Sequence, residues 1–282
     1  MKSEPLSLAH RPILANRLRG FGWNCSEYSF ANLYLFRHVH LYEILLMDSM
    51  PLRGKNREGR SFLMPTSLSP VDIDAILTLT IRDGMPLFPI PEEALPLFQK
   101  RHAIRTDYLA ADSDYLFFCS TLADYPGRNL SNKRNLASQF LSLYDVHAVF
   151  LTQSHCAEAL AILEEWMQEG TENQEETDFS PCKEALELLD TLELSGRIVY
   201  ADGKPVGFSI GEWLNPTCYA IHFCKGLKQW KGVYAYLFQD AARHFQRPSS
   251  WVNLEQDLGK EAIRKAKHSY HPDRLAKKLY VT

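Results

Sequence analysis

RIVYADGKPVGFSIGEWL occupies residues 197–214. Two runs rich in β-branched and aromatic residues flank Asp202-Gly203, a dipeptide suited to a type I′ turn, so the stretch reads as a β-hairpin. Downstream, TCYAIHFCKG (217–226) predicts a third strand and GVYAYLFQDAARHF (232–245) an amphipathic helix. WVNLEQD (251–257) predicts another strand, NLEQDLGKEAIRKAKHSYHP (253–272) runs from it into a cation-rich helix, and KLYV (278–281) a last short strand. Hairpin, strand, helix, strand, helix is an α/β pattern that builds a mixed sheet.

The first half follows the same grammar in different letters. SEYSFANLYLFR (26–37) predicts a helix capped by Ser26, and LYEILLM (41–47) and SFLMP (61–65) predict strands. SPVDIDAILTLTIRDG (69–84) has a Ser-Pro start, helical periodicity and a Gly stop, and DYLFFCS (114–120) reads as a buried strand. Two similar domains are expected, 1–144 and 145–282, with the candidate site in the second.

Apolar content of 45% and charged content of 23% suit a globular chain long enough for a sizeable core. No apolar run approaches the roughly 18 residues of a transmembrane segment, and the N-terminus lacks the apolar centre of a signal peptide. The six cysteines are scattered with no CxxC pair, so reduced thiols and a cytoplasmic setting are expected, with no metal site. Charge is uneven. Residues 158–193 hold twelve carboxylates against one lysine, a balance of −11, so the remainder sums to +8 against a total of −3. The acidic block centres on GTENQEETDFSP (170–181), which reads as an exposed loop between helices.

SEYSFANLYLFR, NLSNKRNLASQF, GKPVGFSIGE, IHFCKG and NLEQDLGKEAIRKAKHSYHP occur in this order over nearly the whole chain. Together they resemble the soluble family related to the C-terminal domain of phosphatidylglycerol lysyltransferases. The resemblance implies two GNAT-like (acyl-CoA N-acyltransferase-like) folds in tandem. It implies an acyltransferase of aminoacyltransferase type, with aminoacyl-tRNA as donor and tRNA as partner. The acceptor would be an amine or hydroxyl of a small molecule, lipid headgroup or peptide. An acyl-CoA-dependent N-acyltransferase using acetyl-CoA and a non-catalytic tandem-GNAT binding module are the alternatives. No tightly bound cofactor is expected.

The residues supply candidates for each role. GNAT enzymes cradle the CoA pyrophosphate in a Gly-rich loop that opens a helix. Here QWKGVY (229–234) keeps Gln229 and Gly232, but Tyr234 stands where a tiny residue would let phosphate approach. A regular strand through 251–257 would put Asn253, Glu255 and Asp257 on one face, with the carboxylates roughly 6–7 Å apart. One could then act as base while the other holds an ammonium, although Asp257 could equally cap the next helix. Glu255, Asp257 and His222 are therefore the catalytic candidates. Substrate-binding candidates are Asn253, Lys225, Arg264, Lys267, Tyr270, Lys133 and Arg134. Lys133 and Arg134 would fall in the first turn of a helix beginning near Ser131, where a phosphate would suit them or a nearby carboxylate would neutralise them. Ile263, Ala266 and Tyr270 form the stripe expected to be buried. His222 and Lys225 lie on opposite faces of a regular strand and could serve one site only through a bulge.

Overall fold

The computed structural model describes residues 2–100 and 103–282. The chain divides into two compact units. One holds the segment up to Asp114 together with Gln256–Gly259 and Leu275–Thr282; the other holds Tyr115–Glu255 and Lys260–Arg274. The change of unit thus falls at Asp114/Tyr115 and not at 144/145. The causes are the strand Asp114–Phe118, which pairs with Trp251–Asn253, and the helix Ser131–Leu143, whose Phe140 is buried against Val199, Val206 and Leu237 of the second unit.

Each unit contributes a seven-stranded mixed sheet among the described residues. The first contains β1 (Ser3–Pro5), β2 (Glu43–Leu45), β3 (Leu52–Lys55), β4 (Ser61–Met64), β5 (Leu87–Pro91) and β6 (Thr106–Tyr108). The second contains β7 (Asp114–Phe118), β8 (Val146–Phe150), β9 (Ser195–Ala201), β10 (Lys204–Asn215), β11 (Cys218–Gly226), β12 (Trp251–Asn253) and β13 (Arg274–Ala276). β14 (Lys278–Val281) returns to the first sheet, between β5 and β6.

Both sheets follow one plan. β1 to β4 are antiparallel, and a parallel step to β5 follows the helix Pro70–Asp83. β8 to β11 are likewise antiparallel, and a parallel step to β12 follows the helix Val233–His244. The next place in each sheet goes to an antiparallel strand from a distant part of the chain, β14 beside β5 and β7 beside β12. This is the GNAT-like architecture in tandem.

Local chemistry accounts for the elements. Ser69 caps the helix Pro70–Asp83 by accepting from the Asp72 amide at 3.2 Å, Pro70 occupies the first helical position, and Gly84 ends it at φ 64°. Its Ile73, Ile76 and Leu77 pack with Leu63, Leu87 and Ile90 of the sheet. The 197–214 hairpin forms as expected, with Asp202 and Gly203 both at positive φ. Ser29, not Ser26, caps the helix Phe30–Leu35, because the residues from Ser26 to Tyr28 form a separate 3₁₀ turn.

Candidate active site

β11 and β12 pair over only three positions, Cys218↔Trp251 to Ala220↔Asn253. β12 stops at Asn253, while β11 runs on to Gly226. The expected strand through residue 257 is therefore absent, and Asn253, Glu255 and Asp257 do not share a strand face. The backbone turns instead: Asn253 Oδ1 accepts from the Glu255 amide at 2.6 Å, and Glu255 takes a left-handed φ of 58°. Such a conformation costs a non-glycine residue about 1–3 kcal/mol and persists where surrounding bonds impose it. Those bonds are present. The Glu255 carbonyl accepts from the Tyr115 amide and from Lys267 Nζ, each at 3.1 Å.

On the facing strand, β10 and β11 slip register between Ile210/Phe223 and Gly211/Ile221, leaving His222 as the extra residue of a β-bulge. Gly211 permits the close approach, since a Cβ there would lie 1.9 Å from the Ala220 carbonyl oxygen. The bulge aims the imidazole between two carboxylates: Nδ1 lies 2.7 Å from Glu255 Oε1 and Nε2 lies 3.1 Å from Glu212 Oε1. The His222 side chain is fully buried, and those of Glu212 and Glu255 are 10% and 13% exposed. Burial opposes charge on the ring, but hydrogen bonds to Glu212 and Glu255 outweigh it and push the His222 pKa up to about 10. At neutral pH His222 is an imidazolium that donates from both nitrogens.

The other candidates separate. Despite the bulge, Lys225 has different partners from His222: its Nζ donates to both Asp178 oxygens at 2.6 and 2.8 Å and sits 3.8 Å from the Trp166 ring centroid. Asp257 is buried and does not occupy the N-cap position of the helix that follows. It belongs to the first unit, where Oδ1 accepts from the Gly259 amide at 2.8 Å, and Lys260 takes the N-cap position of Glu261–His268. Lys133 lies 3.8 Å above the Tyr270 ring, and Arg134 donates to the Tyr125 and Gly127 carbonyls. Within the chain their partners are thus an aromatic face and backbone oxygens. Arg264 is exposed, as is Ala266; of the stripe expected to be buried, Ile263 is half-buried and Tyr270, which lies past the helix end at His268, is buried. Burial lowers the pKa of Lys133.

Sequence reasoning missed Glu212. The signal available was one carboxylate in the apolar run Ser-Ile-Gly-Glu-Trp-Leu, where a charge on a buried strand needs a partner. It also missed a buried cluster in the first unit. Lys278 Nζ lies 2.5 Å from Asp114 Oδ1 and 2.6 Å from Glu27 Oε2, and it donates to Gln256 Oε1 at 3.0 Å. Cys25, Glu27 and Asp114 place potential metal ligands within 4.8 Å of one another, but the Lys278 ammonium already bonds both carboxylates. Among the described residues no helix is long and apolar enough to cross a membrane.

The family described as "Phosphatidylglycerol lysyltransferase, C-terminal" matches residues 23–282. No curated protein sequence matches the chain. Among solved structures, a conserved protein of unknown function from Bacteroides thetaiotaomicron is 22% identical with a TM-score of 0.80, covering 100% of this chain and 98% of that one. L-PGS from Bacillus licheniformis is 15% identical with a TM-score of 0.56, covering 85% and 83%. FemX is 7% identical with a TM-score of 0.57, covering 100% and 97%. At these identities the likenesses establish the fold. The family match spans nearly the whole chain, and the chain therefore belongs to the phosphatidylglycerol lysyltransferase C-terminal family, built on a tandem GNAT-like fold.

Proposed function

We propose that the chain is an aminoacyltransferase that moves an amino acid from aminoacyl-tRNA to an amine or hydroxyl acceptor, with Glu255 as the general base. The observation that carries the reading is the Glu255 carboxylate, held just past the end of β12 by His222 of the facing strand. The donor ester is already activated, so the protein has mainly to position reactants and move a proton. The acceptor nucleophile attacks the ester carbonyl carbon and a new N–C or O–C bond forms. The nucleophile's proton passes to Glu255, the ester C–O bond to the ribose breaks, and the departing ribose oxygen takes up that proton. His222 positions Glu255 by donating to Oε1, and Glu212 balances the imidazolium from the other side. Asn253 and Lys267 hold the turn that presents Glu255.

Charged tRNA, a screen of amine and hydroxyl acceptors, and a thermal melt of each variant provide the test. Glu255→Gln is expected to lower transfer by about 10²–10⁴ while tRNA affinity stays within a factor of about two, because a base is required only as the nucleophile loses its proton. A Glu255→Gln protein that melts early yet transfers normally while folded would make the residue structural and overturn the reading.

A further inference from the structure

The most acidic segment of the chain lies across cations of the second unit. The loop between the helices Cys156–Gln168 and Phe179–Glu187 is anchored at two points. At one, Asp178 takes both bonds of Lys225, which extends from β11 three residues beyond His222. At the other, Lys260 donates to Glu172 Oε1 at 2.8 Å and to the Glu176 carbonyl at 2.9 Å. Lys260 follows β12 in the chain and opens the helix that carries Arg264 and Lys267. One anchor thus belongs to β11 and the other to the segment after β12, the same two stretches that His222 and Glu255 join. Residues 171–176 are exposed, so two anchors hold a loop that has little packing of its own.

We propose that the 170–178 loop is a displaceable polyanionic strap and that Lys260, once released from it, takes up RNA phosphate. The inference rests on the aminoacyl-tRNA reading and adds where the RNA backbone engages. The strap supplies to Lys260 the two kinds of oxygen, a carboxylate and a carbonyl, that phosphate oxygens replace when RNA binds. The Lys225 anchor is the firm one. That side chain is 6% exposed, lies against Trp166, and bonds a single carboxylate in bidentate fashion. The Lys260 anchor is the releasable one, at 31% exposure for the lysine and 52% for Glu172. Exposed pairs of this kind contribute little to stability, so an RNA phosphate competes at small cost.

A double-mutant cycle with uncharged bulk tRNA at low salt tests the competition. Glu172→Gln is expected to tighten binding roughly threefold to tenfold. It should leave the dependence of log K on log salt nearly unchanged, because Lys260 makes one phosphate contact in either protein, whereas Lys260→Gln should flatten it by about one. Lys260→Gln is expected to weaken binding by a similar factor. In the Lys260→Gln background, Glu172→Gln should change nothing, since no lysine remains to be freed. Equal gains from Glu172→Gln in both backgrounds would mean that the loop merely repels RNA at a distance, and would overturn the strap. An absence of change in either single variant, while aminoacyl transfer proceeds, would overturn the strap and leave the transferase reading standing. Failure of the wild type and every variant to bind tRNA would overturn both.

Discussion

His222 Nδ1 and Glu255 Oε1 lie 2.7 Å apart, and that bond joins β11 to the turn after β12 just beyond the point where the two strands stop pairing. Beyond that point the two stretches are joined through side chains, with an imidazolium that faces one carboxylate on each side. The arrangement ties a strained turn to the sheet while holding the Glu255 carboxylate at the partly exposed end of the network.

The charge on His222 makes stability depend on alkaline pH. Its pKa rises from 6.5 to about 10 on folding, so its contribution is complete below about pH 6.5 and is lost as pH rises through 10. Denaturant unfolding at pH 6, 8 and 10 is expected to show a gap between wild type and His222→Gln that narrows with each step. A gap of constant size across that range would mean that the ring is neutral in the folded protein.

Lys278 is fully buried between Glu27 and Asp114. Lys278→Met strands two carboxylates away from water and should cost about 3–5 kcal/mol in denaturant unfolding. Adding Glu27→Gln and Asp114→Asn should restore part of that loss, because no uncompensated charge then remains. A loss that persists in the triple variant would locate the cost in packing and not in charge.

Gly232 begins the helix Val233–His244 at φ 93°, and a Cβ there would lie 2.2 Å from the Leu136 carbonyl oxygen. Gly232→Ala therefore combines a left-handed backbone with a clash against main chain, and a loss of about 3 kcal/mol is expected. A thermal melt unchanged from wild type would show that the loop can rearrange.

Acetyl-CoA should bind no tighter than millimolar. The loop before that helix already gives donors to carboxylates, the Lys228 amide to Glu169 at 3.0 Å and Gln229 Nε2 to Glu165 at 2.8 Å. Tyr234 is also engaged, accepting from Trp166 Nε1 at 3.0 Å. A pyrophosphate entering there would meet both carboxylates and a phenol. Micromolar binding in titration calorimetry would favour the acyl-CoA alternative.

Much of the fold was legible because its signals are local. Asp202-Gly203 predicted its hairpin, and Ser69, Pro70 and Gly84 marked both ends of one helix. Repetition of strand and helix grammar anticipated two sheets of one plan. The unit boundary was not legible, because DYLFFCS reads as a buried strand in either sheet and only its pairing with β12 assigns it.

For the candidate site, the expected strand face singled out Asn253, Glu255 and Asp257, and IHFCKG supplied His222; the structure joins His222 to Glu255, uses Asn253 in the turn and takes Asp257 into the first unit. Their roles came from tertiary structure. The alternation in WVNLEQD promised a strand face, but periodicity says nothing about where a neighbour stops pairing, and β12 ends at Asn253. No local rule predicts a bulge at His222, which arises from the register between β10 and β11. Glu212 and Lys278 gain their meaning from partners 10 and 164 residues away in sequence. Sequence determined which segments form helices and strands, because propensity, capping and turn chemistry act over a few residues. Tertiary structure alone decided which charges meet, because a buried charge is stabilised by whatever the long-range register places within hydrogen-bonding distance.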